Sequence, residues 1–313
     1  MLNAHEQSYV NEFKGNLYEF LVANSIASDF RLQKEFFDNL PKEFRSQLAT
    51  YEAGLRKLDP ELLSLLPHMA NNLTESIKQK IPFVPSSIEL LGKTHAQDKK
   101  WGECDILIKN ETQSLPISLK LSKSHSYINT KSAGVKSFFS QYFKDSKTQD
   151  DFNQVIERSF FKMGQSLYEL KGMDFHGDFG QWNDSGLAQL PGELDDKSKF
   201  VLKEHYQELS NQLFKQIEKI KKQDEPGFMM KLLPLMGFSH EALLQVTTFH
   251  TKDSYNNSIK DLSSFDFEEV TLRNHPDTAH LYIENNTFSL QLRIKPMNKF
   301  TTSSYKVNCA IKY

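Results

Sequence analysis

Apolar residues near the start of the chain recur at helical spacing. Val10, Phe13, Leu17, Phe20 and Leu21 follow a 3.6-residue period in HEQSYVNEFKGNLYEFLVANSIASDF, which predicts a long helix. Two more helices are expected, one over 42–58 ending at the Asp59–Pro60 breaker, the other over 59–81 and kinked or divided at Pro67. PFVPS then imposes extended chain, and KTHAQDKK before Trp101 is a polar loop. From Trp101 to Lys123 the pattern alternates, and two strands, GECDILIK and PISLKLSK, flank a polar turn. Helical patterning returns in a segment capped by Asn129 or Thr130 and running to Phe143, and in one that closes at Gly172. A long loop rich in glycine and acid follows, then the amphipathic helix KFVLKEHYQELSNQLFKQIEKIKKQ and the short helical MMKLLPLMG. The texture then changes: ALLQVTTFH, TAHLYIENN, FSLQLRIKP and SYKVNCAIKY are β-like runs between polar turns.

These elements predict an α/β (α+β) fold with a mixed central β-sheet flanked by helices. A helix-rich N-terminal part covers 1–90, the core 91–172 and 238–313, and a helix-rich insertion 173–237, all within a single domain; independent domains are the alternative. The 313 residues suffice for a substantial core, made unusually aromatic by 24 phenylalanines. A formal net charge of -2 provides no global field for nucleic acid, which argues against a non-specific coating protein but leaves a local cleft open. Two cysteines, Cys104 and Cys309, and an opening without a signal-peptide apolar run point to a reducing, cytoplasmic setting. No run of eighteen apolar residues exists, so no membrane span is expected. Cysteine and histidine lack zinc-site spacing, and Walker A, GxGxxG and GxSxG are missing, so no nucleotide cofactor is expected. His176, Asp178 and Asp184 share a glycine-rich loop that does nothing to fix their geometry.

The alternating pair carries the chemistry. In the first strand Glu103, Asp105, Leu107 and Lys109 share one side; in the second, Ser118, Lys120 and Ser122 do. Pairing sets the polar face of the second strand beside Asp105, so that an acid can hold a hard cation while a lysine stands near the same phosphate. The bland alternative is a surface salt bridge between neighbouring strands.

WGECDILIK followed by ISLK resembles the signature of the PD-(D/E)XK nuclease superfamily, which includes many type II restriction endonucleases. The resemblance covers Trp101 to Lys123, with looser support from the helices on either side. It implies a restriction-endonuclease-like core, Mg²⁺ as cofactor, Asp105 as the first metal-binding acid and Lys120 as the catalytic lysine. The family's second acid falls at Ser118, and its usual proline at Cys104. Several members carry serine there and draw the carboxylate from a neighbouring helix. Glu19 on the N-terminal helix is the first donor to consider, with Glu12 on a shared face; Glu103 is the second and Glu157 the third.

Two polar surfaces suit double-stranded DNA. After Lys120 come Lys123, Ser124, Asn129, Thr130, Lys131 and Lys136, the side-chain types that contact phosphates. Near the C-terminus Arg293 and Lys295 alternate with Leu292 and Ile294, and Lys299 follows. Both are expected on the side of the active site. The function expected is therefore a Mg²⁺-dependent, sequence-specific type II restriction endonuclease, a two-fold homodimer if its target is palindromic. A DNA-repair or nicking nuclease on the same core, and a catalytically inactive DNA-binding protein, are the alternatives.

Overall fold

The computed structural model describes residues 3–91, 101–123, 127–252, 254–267, 269–275, 278–297 and 299–313, those at 4 and 5 without side chains. Helices α1 (Ala4–Asp29), α2 (Gln33–Asn39), α3 (Lys42–Leu58) and α4 (Pro60–Lys78) come first. Strands β1 (Ser87–Leu90), β2 (Ile106–Lys109), β3 (Ser114–Lys123) and β4 (Ile128–Gly134) follow. Then come α5 (Ser146–Leu170), α6 (Gly180–Asp184), α7 (Asp196–Gln223) and α8 (Glu225–Leu232). The chain ends in β5 (Leu244–His250), β6 (Tyr255–Lys260), β7 (Thr271–Asn274), β8 (His280–Glu284), β9 (Ser289–Pro296) and β10 (Tyr305–Lys312). Two compact units result: Met1–Ser126 with Phe238–Phe265, and Tyr127–Gly237 with Asp266–Tyr313. The segments 91–172 and 238–313, expected to form one core, are each shared between them.

The first unit is a mixed five-stranded sheet, order β1-β2-β3-β5-β6, in which only the β3–β5 pair is parallel. Helices α1 and α4 pack on the sheet and α3 packs on both of them, so that Val22, Ile26, Leu55, Leu66 and Leu73 share one core with Ile106, Ile108, Ile117 and Val246. Asp59 caps α4 by accepting the Leu62 N–H, with Pro60 at the first helical position, where a missing N–H costs nothing. The helix then runs unbroken through Pro67, held by the buried Leu66, Met69 and Ala70 on either side of it. In the β2–β3 hairpin Asn110 closes the turn, its Oδ1 accepting the N–H groups of Thr112 and Gln113. Pro116 precedes Ile117, the first residue β5 pairs with, so its missing N–H falls outside that ladder.

The second unit has an antiparallel sheet, order β4-β10-β9-β8-β7, with α7 packed against β7, β8 and β9. Residues 128–134, expected to open a helix, form strand β4 instead. Thr130 caps nothing: it is buried, and its hydroxyl donates to the carbonyls of Leu235 and Cys309. Helix α5 ends as expected, with Gly172 at φ +67 and the N–H groups of Gly172 and Met173 bonded back to Glu169 and Tyr168. Cys104 and Cys309 are buried free thiols. No helix among the described residues is long and apolar enough to cross a membrane.

A buried polar chain ties α5, α7 and β10 together. Ser159 donates to Glu208 at 2.8 Å, so the His205 Nδ1–H donates to Ser159 at 2.8 Å and Nε2 accepts from Tyr305 at 3.0 Å. The carboxylate holds the serine rather than the imidazole, which is not the order of a nucleophile–base–acid triad. Burial lowers the His205 pKa from the ordinary 6.5 to about 4. Below pH 6.5 the unfolded chain takes up a proton that the folded chain refuses. Stability from the neutral ring is therefore complete above pH 6.5 and is lost as pH falls towards 4, by up to about 3 kcal/mol. Thermal melts should show a smaller drop in Tm between pH 7 and pH 4.5 for His205→Gln than for the wild type; equal drops would refute the assignment.

Candidate functional site

Asp105 sits at the mouth of the hairpin. Strand β2 begins at Ile106, but the Asp105 N–H already donates to Ile117 and its carbonyl accepts from Leu91, so the backbone there is held on both sides. The register Ile106↔Ile117 sets Asp105 opposite Ser118, and paired residues of an antiparallel ladder share a face. Lys120, two residues on, shares it as well. Asp105 Oδ2 accepts the Leu119 N–H at 2.6 Å, lies 3.4 Å from Ser118 Oγ, and stands 3.5 Å from Lys120 Nζ. Ser118 is buried, while the Asp105 and Lys120 side chains retain 22% and 25% exposure, enough for a substrate to reach both.

Burial pushes the Asp105 carboxyl above the usual carboxylate range, against the opposing pull of Lys120 and the Leu119 N–H, and Glu103 adds to the push. For Lys120, burial lowers the ammonium pKa, but Asp105, Glu19 and Glu103 outweigh it and leave the group raised. Of the expected acids, then, Glu19 and Glu103 both bear on the Asp105–Lys120 pair. Glu103 belongs to a turn at Trp101–Glu103, not to the strand as expected. Its N–H donates to Ser239 Oγ, and Gly102, at φ +60, lies so close to that side chain that a Cβ would overlap it. Glu12 is exposed on α1, and Glu157 is exposed on α5 in the second unit. Among the described residues no group of three His, Cys, Asp or Glu side chains is placed to hold a metal ion.

Strand β5 adds a residue that sequence reasoning missed. Thr247 pairs in register with Lys120, and its buried hydroxyl has no hydrogen-bond partner. The trace in the sequence is the alternation of Gln245 and Thr247 with Leu244 and Val246. Lys14 was missed too. It falls on the buried stripe of α1 with Val10, Leu17 and Tyr18, and is itself buried. Burial and the nearby Lys123 lower its pKa; burial, Lys14 and Lys123 lower that of His250. His250 and Lys123 line a cavity of about 350 Å³ with Asp59 and Lys252, and His250 Nε2 is buried without a partner.

Of the residues expected to meet DNA, Lys123 closes β3 in the first unit and Ser124 lies outside the described residues. The others belong to the second unit. Asn129 is exposed and accepts from Asn308, Thr130 is buried as described, Lys131 is half-buried, and Lys136 donates to Ser303. Along β9 the expected alternation holds, with Leu290, Leu292 and Ile294 buried, Arg293 exposed and Lys295 half-buried; Lys299 is exposed beyond it. His176 and Asp184 are exposed, and Asp178 serves the Gly180 N–H.

The fold is α/β, a mixed sheet flanked by helices with a helical N-terminal region, and its candidate site is an acid–lysine pair on the β2–β3 hairpin. No protein-family model, curated protein or solved structure matches the chain.

Proposed function

We propose that this chain is a Mg²⁺-dependent endonuclease that hydrolyses phosphodiester bonds of double-stranded DNA. Its first unit would be a restriction-endonuclease-like core, with Asp105 and Lys120 as the catalytic pair. The observation that carries this reading is the 3.5 Å approach of Lys120 Nζ to Asp105 Oδ2 on one face of the hairpin, beside the buried Ser118.

The chemistry of the donor set fits a hard cation. Mg²⁺ takes oxygen ligands and keeps several waters, so Asp105 with one further carboxylate and the substrate phosphate suffices. Asp105, Glu19 and Glu103 all act electrostatically on Lys120, a local negative excess that a divalent ion would offset. Bound there, the ion supplies a polarised phosphoryl oxygen and a water acidified for attack. The Leu119 N–H and Ser118 Oγ hold the Asp105 carboxylate in one orientation. Lys120 keeps its proton, because the surrounding carboxylates raise its pKa, so it offsets charge growing on the phosphate rather than accepting a proton. Lys123 at the end of β3, with Lys14 close to it, adds positive charge that suits a polyanion.

Supercoiled plasmid incubated with Mg²⁺ tests the reading, with chelator as control. Discrete fragments support site-specific restriction, for which a palindromic target calls for a homodimer. Nicked circles support a nicking or repair nuclease. Intact plasmid in both Mg²⁺ and Mn²⁺ sinks catalysis altogether. One observation favours a second reading, a DNA-binding protein without activity: Asp105 is already satisfied within the protein, with Ser118 where the family has its second acid. Gel retardation without cleavage would support it.

The second metal ligand is expected to be Glu19 or Glu103. Alanine at the true ligand should slow cleavage by about 10- to 100-fold, with partial recovery at raised Mn²⁺. Full activity of both variants would move the ligand elsewhere. Ser118→Ala should be milder, since only a long hydrogen bond to Asp105 is lost.

A further inference from the structure

In the second unit, α7 and the neighbouring ends of β8 and β9 enclose a cavity of about 380 Å³ with no acidic side chain among its described lining residues. Five basic side chains line it: Lys199, Lys203, His280, Arg293 and Lys295. Lys199 lies 4.0 Å from Asp196, a loose pair; no ion pair among the described residues holds Lys203, Arg293 or Lys295. Leu202, Ile294 and Pro296 line an apolar part of it, with Tyr206 beside them. Tyr206 Oη and Thr278 Oγ1, both at this cavity, are buried without a hydrogen-bond partner. These two hydroxyls therefore have bonding capacity to spare on residues that line the same cavity as the basic side chains.

We propose that this cavity binds a nucleoside monophosphate unit, either as a free nucleotide or as the phosphorylated end of a strand. Arg293 presents the planar fork that grips phosphate through two parallel hydrogen bonds, with Lys295 and Lys203 adding charge. The apolar part takes the flat ring of the base, and the two hydroxyls meet its polar edge or the sugar. A volume near the lower end of ligand cavities, about 300–1,000 Å³, suits one nucleotide rather than a chain of them. The cations also repel one another. Burial, Lys306 and Arg293 lower the Lys295 pKa, and burial, Arg293 and His275 lower that of His280. A bound dianion offsets the repulsion between these groups. The site lies wholly within the second unit and stands independently of the nuclease reading.

Calorimetric titration without divalent cations, on the wild type and on Asp105→Asn, tests the site separately from cleavage. Deoxyadenosine 5′-monophosphate should bind at least about tenfold more tightly than inorganic phosphate or deoxyadenosine. The double variant Arg293→Gln/Lys295→Gln should weaken it by about tenfold or more. Tyr206→Phe, which keeps the ring and removes one hydroxyl, should weaken it by about fivefold. Lys222→Gln, on an exposed pair with Glu218, should leave binding unchanged. Oligonucleotides with and without a 5′-phosphate separate the sources. Preference for the phosphorylated end, lost in the double variant, assigns the site to strand ends; displacement of neither oligonucleotide while the monophosphate binds assigns it to the free nucleotide. Monophosphate binding no tighter than that of inorganic phosphate, or indifferent to the double variant, overturns the proposal.

Discussion

Asp105→Asn is expected to abolish cleavage while leaving DNA affinity, measured with Ca²⁺ in place of Mg²⁺, within about threefold of wild type. The amide retains a carbonyl oxygen for the Leu119 N–H that Asp105 Oδ2 accepts at 2.6 Å, so the hairpin should hold its geometry. What disappears is the negative charge, and an amide is a poor substitute for a carboxylate at a hard divalent ion. Metal-assisted polarisation contributes several kcal/mol, so the loss should reach about 10³-fold or more in single-turnover rate. Melting temperature should be checked alongside, because the variant also removes the nearest counter-ion of Lys120. A correctly folded Asp105→Asn that cuts near the wild-type rate would end the nuclease assignment.

Lys120→Ala is the second large effect expected. The lysine sits between Leu119, buried in the core, and Leu121, packed against it, so its backbone is fixed while its ammonium reaches out beside Asp105. A lysine serving only as a surface ion pair contributes roughly 0–1 kcal/mol to stability and nothing to a chemical step. As the group that offsets developing phosphate charge, its removal should slow single-turnover cleavage by about 10²-fold or more. Lys120→Arg separates the roles further: it keeps the charge but changes its shape, and should fall between alanine and wild type. If the alanine variant stays within about threefold of wild type, Lys120 is structural and the strand pair is no active site.

Much of this site is legible in the residues alone. The hairpin shows in GECDILIK and PISLKLSK because side chains alternate with period two, which groups Ser118 with Lys120, and the pairing register then sets Asp105 beside them. The same alternation identifies the β9 face, and helical period with a capping Asp59–Pro60 marks α3 and α4. Where the local pattern is diluted, the elements escape notice. Strand β4 turns Ile128, Thr130 and Ala133 inward, of which only Ile128 is large and apolar, too little in INTKSAG to announce a strand. The edge strands β6 and β7, YNNSIK and TLRN, are short and polar and leave no signal for the same reason.

The sequence by itself determined the apolar stripes of the long helices and of β9, since these follow from spacing and polarity within a dozen positions. It also determined that an acid and a lysine share one strand pair. Only the tertiary structure decided the company they keep. Thr247 comes beside Lys120 through a parallel pairing of residues 117–123 with 244–250, and no hairpin turn can specify such a register. Glu19 reaches the pair's electrostatic field because α1 packs on β1 and β3, and Glu103 because a glycine turn fits against Ser239. The second unit, with its own sheet, arises because β4 pairs with β10, which lies far along the chain. Contacts at such separation depend on which complementary surfaces bury each other best, a property of the whole chain that no short window of residues contains.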